Sequence, residues 1–366
     1  MIQTKNYYPM KLYGGSKRSA IVIGGGVNGL LSAFELNKSG WRVQLIDGDS
    51  IPNRHAASYG KHRIIHPMDE AMSLAGLQHM NKVLALWHAV LKEIGSNVFL
   101  NTGFIGVNTN NTKAEYRSSH CKTLFPNTIA RYLPLLHNGK FNEAFFFSEY
   151  GIILADVFLS ELSKYLKCNG VLAHANQKVS SLDTSTASVQ CESGLRCKAD
   201  RLVVAAGTGT RKLLMNDHAS ATRPDPVPFS SKRCYVLYLK ENHQTANKKT
   251  YPAWVCSGKD NLWGIPGIQN IETKLGCGAF THDCIPSAPS LNSKMITNGI
   301  KHKHNKQFPA IKTTSDAKLS FNHWTLTNRE DYCYRTGKAV VVVSDSGSGF
   351  KQAPYTAKQV RDTALV

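Results

Sequence analysis

Short apolar, β-branched runs that break into glycine recur along this chain, and the first sets the pattern. Residues 20–23 (AIVI) are uniformly apolar and end at Gly24-Gly25-Gly26, as a strand buried on both faces does. After Val27, Asn28 and Gly29 comes LLSAFELNKSG, whose apolar positions fit a helix ending at Gly40. WRVQLID (41–47) is a second strand closing on Asp47. The stretch 48–65 is rich in small and basic residues without a period and reads as a loop. A helix is expected over roughly 70–94, with Leu74, Leu77, Met80, Val83, Leu84, Trp87 and Leu91 as a core-facing stripe. Residues 99–108 read as a strand pair, 109–149 as irregular and aromatic-rich, and 152–166 as a helix. Short strands follow from 171, ending in RLVVAAGTGT, again a strand running into a glycine turn. Beyond a proline-rich break at 221–230 lie four more strands, at 234–240, 251–257, 261–267 and 273–280. The polar stretch 285–317 carries KHKHNK, read as a solvated charge run on a loop and not as a metal site. The chain closes with a valine strand, a glycine turn and the start of a helix.

Gly24, Gly26 and Gly29 stand in G-x-G-x-x-G spacing between strand and helix. The first glycine makes the tight turn, the second lets backbone approach a pyrophosphate, and the third lets helix and strand pack closely. Phosphate would sit at the helix N-terminus, where free N–H groups and the dipole favour anions. Asp47, at the end of the second strand, is placed to take ribose hydroxyls. A dinucleotide is therefore the expected ligand.

Composition narrows the class. The 366 residues are 42% hydrophobic and 19% charged, as in globular proteins with room for about two domains. Lys and Arg outnumber Asp and Glu by 44 to 25, a net charge of +19. No basic run is interleaved with aromatics, so a solvated basic surface, an acidic substrate or an acidic protein partner is expected, and not nucleic acid. Nine cysteines without C-x-x-C spacing point to reduced thiols and a cytoplasmic protein. Nothing reads as a signal peptide or a membrane span.

The glycine motif, SYGKHRII at 58–65, AAGT at 205–208, KLG at 274–276 and SGSGFK at 346–351 occur in the order found in sarcosine-oxidase-like flavoproteins. The chain resembles these members of the D-amino-acid-oxidase family of FAD enzymes from about residue 19 to 358. The resemblance implies an α/β fold, with a Rossmann-like FAD-binding domain of the glutathione-reductase type interleaved with a substrate domain on a mixed β-sheet. The expected FAD-binding parts are 1–95, 150–220 and 331–366, and the substrate domain 96–149 and 221–330.

Carried over by motif, Gly24, Gly26, Gly29 and Asp47, with Val27 and Asn28 in the same turn, hold the ADP half of FAD. Val179 matches the residue whose backbone meets adenine, and Ala206 and Gly207 belong to AAGT. Ser58 and Arg63 match groups placed against the pyrophosphate and the isoalloxazine ring. Gly347, Gly349, Phe350 and Lys351 match the turn over the flavin pyrimidine, and Lys274 the lysine near N5 that promotes reaction with O₂. Lys274, Lys351 and Arg63 are thus the expected catalytic residues; Tyr59, His66, Trp324 and Lys351 the expected substrate-binding ones. Asn322 stands where relatives carry a flavin-linking cysteine, so non-covalent FAD is expected. His66 replaces a carboxylate-binding arginine and Gly278 a histidine, which argues against simple sarcosine as substrate.

The resemblance implies an FAD-dependent oxidase of an amine or amino-acid C–N bond, passing hydride to flavin N5 and reoxidised by O₂ to H₂O₂. Its substrate would be a small-molecule amine or a carrier-bound group, in a biosynthetic setting. Two other readings stay open. WGIP at 263–266 matches part of a flavin halogenase signature, with Asn261 in place of its first tryptophan. Substitutions at the substrate positions also suit a non-catalytic FAD-binding assembly subunit.

Overall fold

A computed structural model describes residues 18–67, 73–109, 121–218, 229–239, 251–268, 270–283, 291–311, 316–326, 332–343 and 347–366. The proline-rich stretch 221–228 lies outside them. Six helices are labelled here: α1 (Val27–Lys38), α2 (Leu74–Ile94), α3 (Ala155–Cys168), α4 (Thr210–Met215), α5 (Ser293–Gln307) and α6 (Ala353–Leu365). No helix among the described residues is long and apolar enough to cross a membrane.

The fold is α/β with mixed sheets, as expected. A six-stranded sheet runs Cys333–Thr336, Ala339–Val342, Arg201–Val204, Ser19–Ile23, Arg42–Ile46, Leu172–His174. All neighbours are parallel except the first pair. Residues 20–23 and the strand Ala339–Val342 are continuous apolar runs because both faces of the sheet are covered. On one face α1 packs against α6, α3 and the central strand, and Arg361 donates to the buried Glu35 carboxylate at 2.9 Å. Ser19–Ile23 lies between two parallel neighbours, so its carboxyl end opens into the crevice where ligands of such sheets bind.

A second sheet has eight strands, in the order Ala317–Leu326, Ser230–Leu239, Thr273–Asp283, Leu262–Ile265, Ala253–Ser257, Phe104–Asn108, Glu143–Phe147, Cys121–Leu124. It is antiparallel apart from the pairing of Ala253–Ser257 with Phe104–Asn108. Its own core includes Trp254, Tyr235, Phe308 and Leu275. Between the large sheets lies a three-stranded one, His62–Ile65, Gly151–Leu154, Phe99–Leu100.

Several expectations are corrected. The stretch 48–65 ends in the strand His62–Ile65, whose partner Gly151–Leu154 is distant in sequence. That partner is a strand although 152–166 reads as helix; α3 begins only at Ala155. The two strands in 99–108 do not pair with each other but enter different sheets. The supposedly irregular 109–149 contains Cys121–Leu124 and Glu143–Phe147. KHKHNK is not on a loop: it is in α5, capped by Asn292, whose side chain accepts from Lys294 and Met295 N–H groups. Ile296, Ile300 and His304 form its buried stripe at i, i+4, i+8. His304 is fully buried, with Nε2 2.9 Å from the Gly276 carbonyl and its ring edge-on to Trp254.

Burial holds His304 neutral, with its pKa pushed down to about 4, and His62 likewise to about 3. Once unfolded, each takes up a proton below about pH 6.5, while the folded forms do not. Stability should therefore fall as pH drops from about 6.5, by about 2 kcal/mol per histidine at pH 5. Urea unfolding at pH 7 and pH 5 checks this: His304→Gln should lose less between the two than the native chain. Equal losses would contradict it.

Candidate functional site

The turn after Ser19–Ile23 is built by close approach. Gly24 has φ of +118°, and a Cβ there would lie 2.3 Å from the Ala205 carbonyl oxygen. A Cβ on Gly29 would lie 1.8 Å from the carbonyl oxygen of Gly24, so α1 reaches the strand only because position 29 has no side chain. The Val27 N–H donates to Ser58 Oγ at 3.1 Å, and Asn28 Oδ1 is buried with no partner. Asp47 Oδ2 accepts the Gly25 N–H at 2.5 Å, and its Oδ1 accepts from Asn53 Nδ2 and the Asp49 N–H, each at 2.8 Å. Desolvation raises the pKa of Asp47, opposed by those donors.

From this turn a continuous cavity of about 1900 Å³ extends between the two large sheets, larger than most small-ligand pockets. Gly24, Gly26, Val27, Asn28, Asp47 and Ser58 line one part, and Val179, Ala206 and Gly207 lie beside them. Arg63, His66, Lys274, Gly347, Gly349, Phe350 and Lys351 line it too. The fold thus gathers residues from six separate segments. Gly29 packs behind the wall. Tyr59, expected to meet substrate, instead packs its ring on the core and gives its carbonyl to Arg63 Nη2 at 2.9 Å. Trp324 pairs through its backbone with Lys232; its side chain lies outside the described residues.

Arg63 also donates to the carbonyls of Ala57, at 2.6 Å, and His62, at 2.9 Å, and its guanidinium stands over the Phe350 ring. Three carbonyls thus fix its fork without neutralising it. His66 stacks on Phe104 with ring centroids 5.0 Å apart, and its Nε2 lies 3.1 Å from Lys351 Nζ. Burial and the Lys351 charge hold His66 well below its usual pKa, so the neutral ring accepts a hydrogen bond from the ammonium. Its Nδ1 is buried and unpartnered. Lys274 is 2% exposed; burial first, then the Arg63 charge, push its pKa well below that of an ordinary lysine.

Three residues missed from the sequence shape the wall, of which His62 and Trp263 line it and Trp87 backs it. Trp87 of α2, read as core stripe, donates its indole N–H to the Lys351 carbonyl at 2.8 Å and stacks on Phe350. His62 is fully buried on the strand His62–Ile65 beside Arg63, and neither ring nitrogen reaches hydrogen-bond geometry. The backbone carbonyls of His62 and Glu272 act on it only as weak acceptors. Trp263 lies 5.3 Å from Lys274 Nζ, measured to its ring centroid. Only Trp263 had a local signal, its place in WGIP.

The arrangement fits FAD: a glycine cradle that a Cβ would fill, an acid beside it, unpartnered polar atoms on Asn28, His62 and His66, and cations farther along. Among the described residues no cluster of side chains could hold a metal ion.

Comparison with known proteins agrees. The human peroxisomal sarcosine oxidase is 23% identical over 379 residues, covering 94% of this chain and 92% of its own. The monomeric sarcosine oxidase of Bacillus sp. (strain B-0618) is 22% identical over 273 residues, 71% of this chain and 68% of its own. The L-proline dehydrogenase of P. horikoshii superposes with a TM-score of 0.76 at 16% identity, over 95% of this chain and 93% of its own. The family model for FAD dependent oxidoreductases (DAO) matches residues 19–363, and the chain belongs to that family.

Proposed function

We propose that this protein oxidises the C–N bond of an amine or amino acid, using non-covalently bound FAD and O₂, with release of H₂O₂. The observation that carries the reading is that two buried lysines, Lys274 and Lys351, face one cavity with the glycine cradle. The sarcosine-oxidase relatives support it. Bound FAD would supply the hydride acceptor. Gly24, Gly26 and Asp47 would hold its ADP half, Val179, Ala206 and Gly207 the adenosine side, and Ser58, Arg63 and the turn Gly347–Gly349 the rest.

Lys351 and His66 would bind and orient the substrate. With His66 neutral and accepting from Lys351, the pair offers one cation and no second charged fork. With one cation instead of two, such an anchor holds the carboxylate of a small amino acid such as sarcosine less tightly and favours a larger amine that makes further contacts. The net charge of +19 favours acidic or carrier-bound substrates. Lys274 would act on the oxygen side, where an ammonium favours the negative charge O₂ gains with its first electron. A Cβ at Gly278 would lie 2.9 Å from Asn261 Cβ, so a histidine at that position would not fit without Asn261 moving.

Lys274→Met should slow flavin reoxidation by orders of magnitude and leave anaerobic reduction largely intact, as stopped-flow traces of the two half-reactions will show. Since the cation exists only below its pKa, which burial lowers, native reoxidation should weaken as pH rises and do so below the range of an ordinary lysine. Equal slowing of both half-reactions would make Lys274 structural.

Lys351→Met should raise KM for an amino acid about 10- to 100-fold, the loss of a charge-assisted hydrogen bond, and sarcosine should not outcompete bulkier amines. Preferred turnover of sarcosine by the native enzyme would contradict this.

Acid precipitation should leave yellow flavin in the supernatant, because Asn322 lines the cavity without a thiol and His323 Nε2 is engaged by Arg233 Nε at 2.8 Å. Cys234 lies directly across the strand pair from Asn322 and also lines the cavity. Flavin that stays with the pellet, and leaves it in Cys234→Ser, would overturn the non-covalent assignment.

A further inference from the structure

Lys274 is an ammonium in the wall of a buried cavity with no carboxylate against it among the described residues. Its charged and titratable neighbours are Arg63 and His62 from the strand His62–Ile65, and Cys234 and Tyr238 from Ser230–Leu239. Glu272, two residues before it in the chain, acts on Tyr238. None of these is an ion-pair partner. Two ring faces are present instead. Tyr238 is directly opposite Lys274 across the strand pair, its ring centroid 5.8 Å from Nζ. Trp263, on the other neighbouring strand, is opposite Gly276 and stands 5.3 Å from Nζ. Both distances lie within the reach of a cation–π contact.

The register explains how the indole gets there. Lys274 and Gly276 project from the same face of their strand. A Cβ at 276 would lie 2.0 Å from the Trp263 ring, so the indole lies across the bare backbone of Gly276 and reaches the lysine diagonally. The spacing of Lys274 and Gly276 in KLG thus has a packing reason: the glycine is the seat of the ring that faces the cation.

The electrostatic consequence differs from that of an ion pair. A carboxylate would keep Lys274 protonated but cancel its field. A ring quadrupole stabilises the ammonium and leaves the full positive charge in the cavity. Burial and Arg63 both favour the neutral amine, so something must oppose them if the charge is to be present. We propose that Trp263 and Tyr238 are positioning residues that keep Lys274 in its ammonium form by ring-face contact, preserving an uncancelled positive charge in the cavity. This rests on the reading of Lys274 as the oxygen-side cation.

The test uses the FAD-loaded protein with ¹³Cε-labelled lysine, the Lys274 resonance being the one lost in Lys274→Met. Its pH titration is followed alongside stopped-flow reoxidation and anaerobic reduction. In the native protein Lys274 should be charged at pH 7. Trp263→Leu should move its titration midpoint down by about one pH unit, and the reoxidation profile should move with it while the pH profile of anaerobic reduction stays put. Trp263→Phe, which keeps a ring face, should restore most of the shift. If Trp263→Leu fails to fold, Tyr238→Leu carries the same expectation. An unmoved midpoint, a Lys274 already neutral at pH 7, or an effect confined to KM for the amine would overturn the proposal. If the midpoint moves but Lys274→Met reoxidises at the native rate, the ring-face proposal stands and the oxygen-side role of Lys274 falls.

Discussion

The contact between Gly29 and the Gly24 carbonyl is the constraint on which the molecule depends. A helix can start that close to the end of a central strand only if position 29 carries no Cβ at the crossing. From that crossing follow the direction of α1, its packing on α6, and the turn whose N–H groups and Asp47 form one end of the cavity. Asp47 extends the constraint outward, because its oxygens tie residues 49 and 53 back to the glycine turn. Ser58, hydrogen-bonded to Val27, then delivers the chain to Arg63 and His66.

The far wall is made by another logic. The eight-stranded sheet supplies rigidity, and cross-strand register places Tyr238, Lys274 and Trp263 together without hydrogen bonds between their side chains. Among the described residues, Arg63, Lys274 and Lys351, which face the cavity, meet carbonyls, rings and a neutral imidazole. Such holding fixes position while leaving charge available to a ligand, and it is the property that an oxidase reading of the site needs.

What could be read from the sequence was what local geometry dictates. The glycine spacing, the strand before it and Asp47 are mutually consistent within thirty residues, so that turn was legible down to single positions. His62–Ile65 was not, because its only reason to be extended is a partner almost ninety residues away. Trp87 was read correctly as core, yet periodicity reports only that a ring is buried and says nothing of where its N–H goes. His304 hid inside a Lys-His run whose polarity masked a buried stripe of three. Tyr59 was misplaced because motif matching locates a Cα and not the direction of its side chain.

Ala339–Val342 and α6 also bear on when the protein can become itself. The strand inserts beside Arg201–Val204, and α6 covers α1 and completes the core over the glycine turn. A nascent chain that has made the turn, Asp47 and Arg63 therefore still exposes the apolar face of α1 until α6, far along the sequence, has been synthesised. The cofactor cradle is translated well before the helix that encloses it. That order leaves the apolar face of α1 open until α6 arrives, and exposed apolar surface of this kind favours aggregation during folding.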